Sequence, residues 1–114
     1  MEPVGIDAVE VWTGKLKLDL PETFAPQKGE DPDKYRKGIG LVGSSFPDLY
    51  EDIVTMGANA AKRLMDRKGL TPEDIGRIDV ATESAFDNSK PVSTYIAGCL
   101  EQYFDGEFRH ANKG

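Results

Sequence analysis

Histidine and cysteine are nearly absent from this sequence, and their scarcity narrows its chemistry. One His, His110, and one Cys, Cys99, occur in 114 residues. They do not stand at metal-ligand spacing, so a zinc-type centre has no donor set. A single cysteine forms no internal disulfide, which fits a reducing, cytoplasmic compartment. No apolar run approaches the roughly 18 residues of a membrane helix. The opening Met-Glu-Pro-Val-Gly lacks the basic start and apolar core of a secretion signal. Positive charge is also short: 14 Lys and Arg face 20 Asp and Glu, a net charge of −6 with no basic stripe. Nucleic acid and anionic membrane are therefore poor partners. A phosphate loop is missing too. Gly38-Ile39-Gly40-Leu41-Val42-Gly43 has neither a Gly-Lys-Ser/Thr ending nor dinucleotide-binding spacing, so it reads as a tight turn.

What is present suits one domain with a real core: 39% hydrophobic and 30% charged residues at this length. Residues 4–12 alternate crudely and end in Val9, Val11 and Trp12, which predicts a strand. Residues 15–20 alternate cleanly, Leu16, Leu18 and Leu20 against Lys15, Lys17 and Asp19, and predict a second. One helical turn is expected over 21–25 and a surface loop over 26–33. Asp31-Pro32-Asp33 then starts a short helix carrying Tyr35 and Arg36, which Gly38 and Gly40 end. Residues 41–46 form a connector of no assigned structure.

The clearest helix spans 49–68, with Asp48 as N-cap, Glu51 completing a capping box and Gly69 as the stop. Ile53, Met56, Ala60 and Leu64, with Ala61 and Met65, give its apolar stripe. Gly57, Ala58, Ala60 and Ala61 leave room for a close neighbour. Thr71-Pro72-Glu73-Asp74 caps a single turn, and a strand follows over 77–82. Val92, Tyr95, Ile96, Cys99, Leu100 and Tyr103 mark a second helix, 91–104, ended by Asp105-Gly106. A long helix between strands predicts a β-α-β crossover, a parallel pairing and an α/β fold.

Two residues invite a chemical reading. The strand over 77–82 delivers Glu83 into a polar turn just before a helix, where α/β folds place reactive groups; an ordinary solvated Glu fits the same local pattern. Cys99 sits on the predicted apolar face with no basic partner, so a buried, inert thiol is expected rather than a nucleophile.

Several blocks carry a family resemblance. They are Gly5-Ile6-Asp7-Ala8, the stretch 31–40 with Lys34-Tyr35 and Gly38-x-Gly40, Glu51-Asp52-Ile53, and Leu64-Met65-x-Arg67. Ile75-Gly76-Arg77-Ile78 and Thr82-Glu83 followed by Asp87-x-Ser89-Lys90 complete them. In order and spacing they resemble the N-terminal part of 3-hydroxy-3-methylglutaryl-CoA synthases, condensing enzymes of the thiolase superfamily, with archaeal members nearest. The resemblance implies an α/β fold, the N-terminal part of a thiolase-type αβαβα sandwich. Its mixed sheet would have the crossover helix at about 49–68 and the second helix at about 91–104. Residues 1–114 would be the N-terminal part of one condensing-enzyme domain, ending before the nucleophile motif.

The resemblance also implies the roles. Glu83 matches the general acid/base that moves protons while an acetyl thioester, held on a cysteine, condenses with acetoacetyl-CoA. Ala81, Ala85 and Phe86 are expected to give it apolar surroundings and raise its pKa. Asp31, Pro32 and Lys34 match a segment that touches substrate. Pro32 stands where the family often has alanine, so a contact needing its N–H is lost. Lys34 reads equally as a CoA-phosphate contact or a solvated lysine, and Ser89 and Lys90 as supports of the Glu83 loop or as helix caps. The implied substrates are acetyl-CoA and acetoacetyl-CoA, on the mevalonate route to isoprenoids, with no further cofactor and no metal. The implied setting is a cytoplasmic homodimer at full length. Cys99 does not match the nucleophile, which belongs to a small-residue motif further on, so these residues alone are expected to be inactive. Two other readings share the pattern. One is a ketoacyl synthase-like condensing enzyme. The other is a non-catalytic α/β interaction module, which predicts closed sheet edges and no large exposed apolar patch.

Overall fold

A computed structural model describes residues 1–108 and the backbone of 112–113; His110 lies outside the described residues. The chain divides into two compact units, Thr13–Glu51 on the one hand and Met1–Trp12 with Asp52–Gly114 on the other.

In the Thr13–Glu51 unit, strand β1 (Leu16–Asp19) pairs antiparallel with β2 (Gly43–Phe46), in the register Leu16↔Phe46 to Asp19↔Gly43. The Leu/Lys alternation foretells β1. β2 falls in the unassigned connector, because Gly43, Ser44 and Ser45 have no strand preference and the partner decides. Gly14 is buried where this ladder begins, and a Cβ there would run into the Phe46 carbonyl, so only glycine admits the approach. Asp19 accepts a hydrogen bond from the Glu22 N–H at 2.7 Å and opens a wide turn, Leu20–Phe24, with Pro21 in its first positions. The turn runs on into α1 (Ala25–Lys28), which occupies the start of the expected loop and stops at Gly29 in the left-handed region, φ 67°. A second wide turn, Lys34–Ile39, ends at Gly40 with φ 73°; Gly38 lies inside it. Leu20, Ala25 and Tyr35 are buried together, with Phe24 edge-on to Tyr35 at 6.0 Å between ring centres. Glu51 accepts the N–H groups of Asp48 and Lys15, at 2.8 and 2.9 Å.

In the other unit, helix α2 (Ile53–Lys68) starts later than expected. Its N-cap is Asp52, whose carboxylate accepts the Thr55 N–H at 2.7 Å while Thr55 Oγ1 accepts the Asp52 N–H at 2.8 Å. Two overlapping capping patterns, Asp48…Glu51 and Asp52…Thr55, compete in the sequence, and the one touching the apolar run wins. Gly69 ends α2 at φ 66°. Thr71 and Asp74 cap the single turn Pro72–Asp74 as expected. Helix α3 (Val92–Phe104) ends at Asp105, which holds a left-handed φ of 49°.

The core of this unit is the α2–α3 contact. Val54, Met65, Val92, Ile96, Ala97, Leu100 and Phe108 are buried, with Ala58, Ala61 and Tyr95 packed against them. The inner line of α2 thus runs Val54, Gly57, Ala58, Ala61, Met65, about one residue rotated from the line of larger side chains read in the sequence. Gly57 leaves room for Ile96, since a Cβ there would stand 2.6 Å from Ile96 Cδ1.

Three sequence expectations are corrected. Residues 4–12 are not a strand: they have no ladder partner among the described residues, and Val4 and Ile6 are 97% and 87% exposed. Alternation marks faces but supplies no partner. Instead Arg67 Nη2 donates to the Val9 carbonyl at 2.7 Å and Arg63 Nη1 to that of Val11 at 3.4 Å. Arg67 also meets Glu10, Lys68 meets Asp7, and the Arg63 guanidinium lies 5.4 Å from the Trp12 ring centre. The strand over 77–82 shrinks to β3 (Arg77–Ile78), paired parallel with β4 (Asn112–Lys113). The crossover of that parallel pair is therefore α3 rather than α2, and each unit carries its own two-stranded ladder in place of one mixed sheet among the described residues. Cys99 is exposed, because the buried stripe of α3 runs through Val92, Ser93, Ile96, Ala97 and Leu100, roughly a quarter-turn away.

Gly57→Leu is expected to lower stability in urea unfolding by about 1–3 kcal/mol, from overpacking against Ile96. Gly57→Ala combined with Ile96→Val should instead be about 1 kcal/mol more stable than Ile96→Val alone, since removal of Cδ1 leaves only the helical preference for alanine. Equal stability of those two proteins would mean that Ile96 does not limit position 57.

Candidate functional site

Glu83 lies in the loop between β3 and α3, the place expected of it. Val80 packs against the α2–α3 core and anchors the near side of the loop. The Ser84 N–H donates to Thr82 Oγ1 at 3.0 Å and sets a local turn at Glu83. The expected apolar enclosure does not form: Glu83 is exposed, and so are Ala81, Ala85 and Phe86. Small apolar neighbours in sequence bury a carboxylate only if the chain folds over it, and here it does not.

The far side of the loop is tied by Asp87. Its Oδ1 accepts the N–H groups of Ser89 and Lys90 at 2.8 and 3.1 Å, and its Oδ2 accepts the Tyr95 hydroxyl at 2.7 Å. The Tyr95 hydroxyl first, then the two backbone donors, hold the Asp87 carboxyl below the usual carboxylate range. The same bond pushes the Tyr95 hydroxyl up. Ser89 and Lys90 are thus held by Asp87. Neither side chain caps α3, whose N-cap is Pro91 without a side-chain bond. A hollow of about 280 Å³ opens beside the loop, with Val80, Thr82, Ala85, Asp87 and Ser93 among its walls; Glu83 is not one of them.

Asp31, Pro32 and Lys34 belong to the other unit. Asp31 Oδ1 accepts the Asp33 N–H at 2.9 Å and its carbonyl accepts the Lys34 N–H at 3.0 Å, which winds the start of the second wide turn. Pro32 sits in that first turn, half-buried, where a missing N–H does no harm. Lys34 Nζ is paired with Glu30 at 2.7 Å, and Tyr35 donates its hydroxyl to the other Glu30 oxygen. The Glu30 carboxyl is held low by Lys34 and then Tyr35, while Lys34 and Tyr35 are both pushed up by Glu30. An ammonium has three donors, so this pair leaves Lys34 able to meet an anion as well. Around it Arg36 pairs with Glu22 and Lys37 with Asp33.

Sequence reasoning missed Glu30 and Tyr95. The first had a signal, the i, i+4 Glu-to-Lys spacing with Lys34. The second was absorbed into the apolar stripe of α3, where its hydroxyl went uncounted. Among the described residues no group of His, Cys, Asp and Glu gathers as metal ligands, and no helix is long and apolar enough to cross a membrane. Val4 and Ile6 in one unit, and Leu49 and Tyr50 in the other, are large apolar side chains left exposed.

Comparison with known proteins adds to this geometry. Residues 1–108 match the family described as hydroxymethylglutaryl-coenzyme A synthase N terminal. A hydroxymethylglutaryl-CoA synthase of Haloferax volcanii is 84% identical over 114 residues, all of this chain and 26% of the relative. The backbone resembles MvaS in complex with 3-hydroxy-3-methylglutaryl coenzyme A, with a TM-score of 0.79 and 36% identity over 85% of this chain and 23% of that one. It also resembles an HMG-CoA synthase complexed with CoA, with a TM-score of 0.75 and 30% identity over 94% of this chain and 26% of that one. The chain spans about a quarter of the length of the curated relatives it matches.

The Glu30–Lys34 pair gives a pH prediction. The depressed Glu30 carboxyl contributes stability above its unfolded pKa, and that contribution fades as pH falls through the folded value. The raised Lys34 contributes below its unfolded pKa and fades as pH rises through its own folded value. The pair therefore acts between the two. In Glu30→Gln, NMR titration should show Lys34 and Tyr35 both ionising at lower pH than in the parent chain. Unmoved titrations would show that Glu30 does not hold them in solution.

Proposed function

The chain belongs to the hydroxymethylglutaryl-coenzyme A synthase family, and from that premise we propose that it supplies the general acid/base half of an acetyl-CoA:acetoacetyl-CoA condensation. Residues 1–114 act as the N-terminal part of a thiolase-type condensing domain. The observation that carries this reading is the position of Glu83: one carboxylate, exposed on a loop that Val80 and Asp87 anchor on either side. A carboxylate so placed can take an α-proton from an acetyl thioester and return a proton to the alkoxide formed as the C–C bond closes. An exposed loop in these residues alone is consistent with enclosure by bound substrate and by the remainder of a longer polypeptide.

The acetyl group is carried by a cysteine other than Cys99, which is exposed on α3. Lys34, with Asp31 and Pro32 shaping its turn, meets the phosphates of coenzyme A. The product is HMG-CoA, on the mevalonate route, in a cytoplasmic homodimer that uses CoA thioesters and no further cofactor.

The test uses a polypeptide of family length, made by joining residues 1–114 to the remaining three-quarters or so of the Haloferax volcanii relative. Glu83→Gln in that protein should lower HMG-CoA formation by at least ~100-fold, while acetyl-CoA still acetylates the enzyme. Condensation at the parent rate by Glu83→Gln would overturn the assignment. Turnover of a malonyl thioester in preference to acetoacetyl-CoA would favour the ketoacyl synthase-like alternative.

A further inference from the structure

We propose that Tyr95 is a positioning residue for the condensation, acting through Asp87 to fix the loop that carries Glu83; this rests on the catalytic reading of Glu83. Four side-chain contacts converge on Tyr95. Its hydroxyl donates to Asp87 at 2.7 Å. The Phe86 ring lies 5.1 Å from its ring, tilted by 51°, and Lys90 Nζ lies 4.1 Å from its ring centre. On the other side it packs against the α2–α3 core, beside the buried Ile96. One side chain on the first turns of a helix thus gathers loop residues 86, 87 and 90, and Asp87 in turn pins the N–H groups of Ser89 and Lys90.

The consequence follows from what Glu83 lacks. It is exposed, and Ala81, Ser84, Ala85 and Phe86 beside it are exposed as well, so no packing of its own side chain fixes its place. The Ser84–Thr82 bond shapes the turn, and the place of that turn comes from the two anchors, Val80 on the strand side and the Asp87–Tyr95 bond on the helix side. A proton-transfer group misplaced by about 1 Å loses on the order of a hundredfold in rate. A hydroxyl more than a helical turn of sequence away from Asp87 is therefore enough to tune turnover without touching the reacting atoms.

The experiment uses the family-length protein described above, with Tyr95→Phe, Asp87→Ala and the double variant. Tyr95→Phe keeps the ring, its Phe86 and Lys90 contacts and its core packing, and removes only the hydroxyl. It should lower kcat for condensation roughly tenfold, the scale of one hydrogen bond to a charged group, with KM for both thioesters and the melting temperature unchanged. In the Asp87→Ala background the same substitution should have no further effect on kcat, because the hydroxyl has lost its partner. A parent-like kcat in Tyr95→Phe overturns the proposal. So does an additive loss in the double variant, and so does a Tyr95→Phe protein that melts early or fails to fold, since the hydroxyl would then serve stability alone. Glu83→Gln, measured alongside, keeps the cases apart: if it retains activity the catalytic reading fails, whereas its loss with a parent-like Tyr95→Phe sinks only the role of Tyr95.

Discussion

The close approach of α2 and α3 is the constraint on which the rest of their unit depends. α2 presents a narrow apolar line, and α3 a broader one. α2 offers Gly57, Ala58 and Ala61 between Val54 and Met65, and α3 fills that shallow line with Ile96, Ala97 and Leu100. Small against large lets backbones approach and gives dense packing from few side chains. The seam then positions everything attached to it: Val80 before the loop, Tyr95 after it, and Phe108, whose N–H is held by Glu101 at 3.0 Å beyond the end of α3.

The chemistry of the two units is of different kinds. Around Glu83 the described residues leave that carboxylate exposed, and the neighbouring acid, Asp87, is engaged by two backbone N–H groups and the Tyr95 hydroxyl. Around Lys34 the cations of the turn each have an acid beside them: Glu30 for Lys34, Asp33 for Lys37, Glu22 for Arg36. Exposed pairs of this sort add little to stability. Their effect is on orientation, since they hold the long cationic side chains near the turn that bears them.

Local signals read well in the sequence where the cause is local. Gly69 and Gly40 stop their helices, Thr71 and Asp74 cap their turn, and the Leu/Lys alternation makes β1. The failures have one physical origin, which is that a strand or a buried face is defined by its partner. Residues 4–12 look like a strand and find guanidinium groups in place of a ladder; Gly43–Phe46 look like nothing and become one. The spacing of α3 puts Cys99 on its apolar face, but contact with α2 decides which line points inward, and Cys99 is off it. The site divides in the same way. The placement of Glu83 in a loop between strand and helix was legible in the local pattern. Its open surroundings and the hydroxyl of Tyr95 were not, because both depend on how the loop lies against a helix that begins after it.

The N-terminal stretch is fastened by guanidinium and ammonium groups of α2, and this gives the unit two kinds of cohesion with different responses to its solvent. Salt at about 1 M shortens the reach of charge to roughly 3 Å. The Arg67–Glu10 and Lys68–Asp7 pairs, at 3.4 and 3.0 Å, stand at that limit. The apolar seam between α2 and α3 gains from kosmotropic salts rather than losing. Ionic strength therefore acts on this unit as a selector: it weakens the two ion pairs of the first dozen residues, and leaves the hydrogen bonds to the Val9 and Val11 carbonyls and the apolar seam in place.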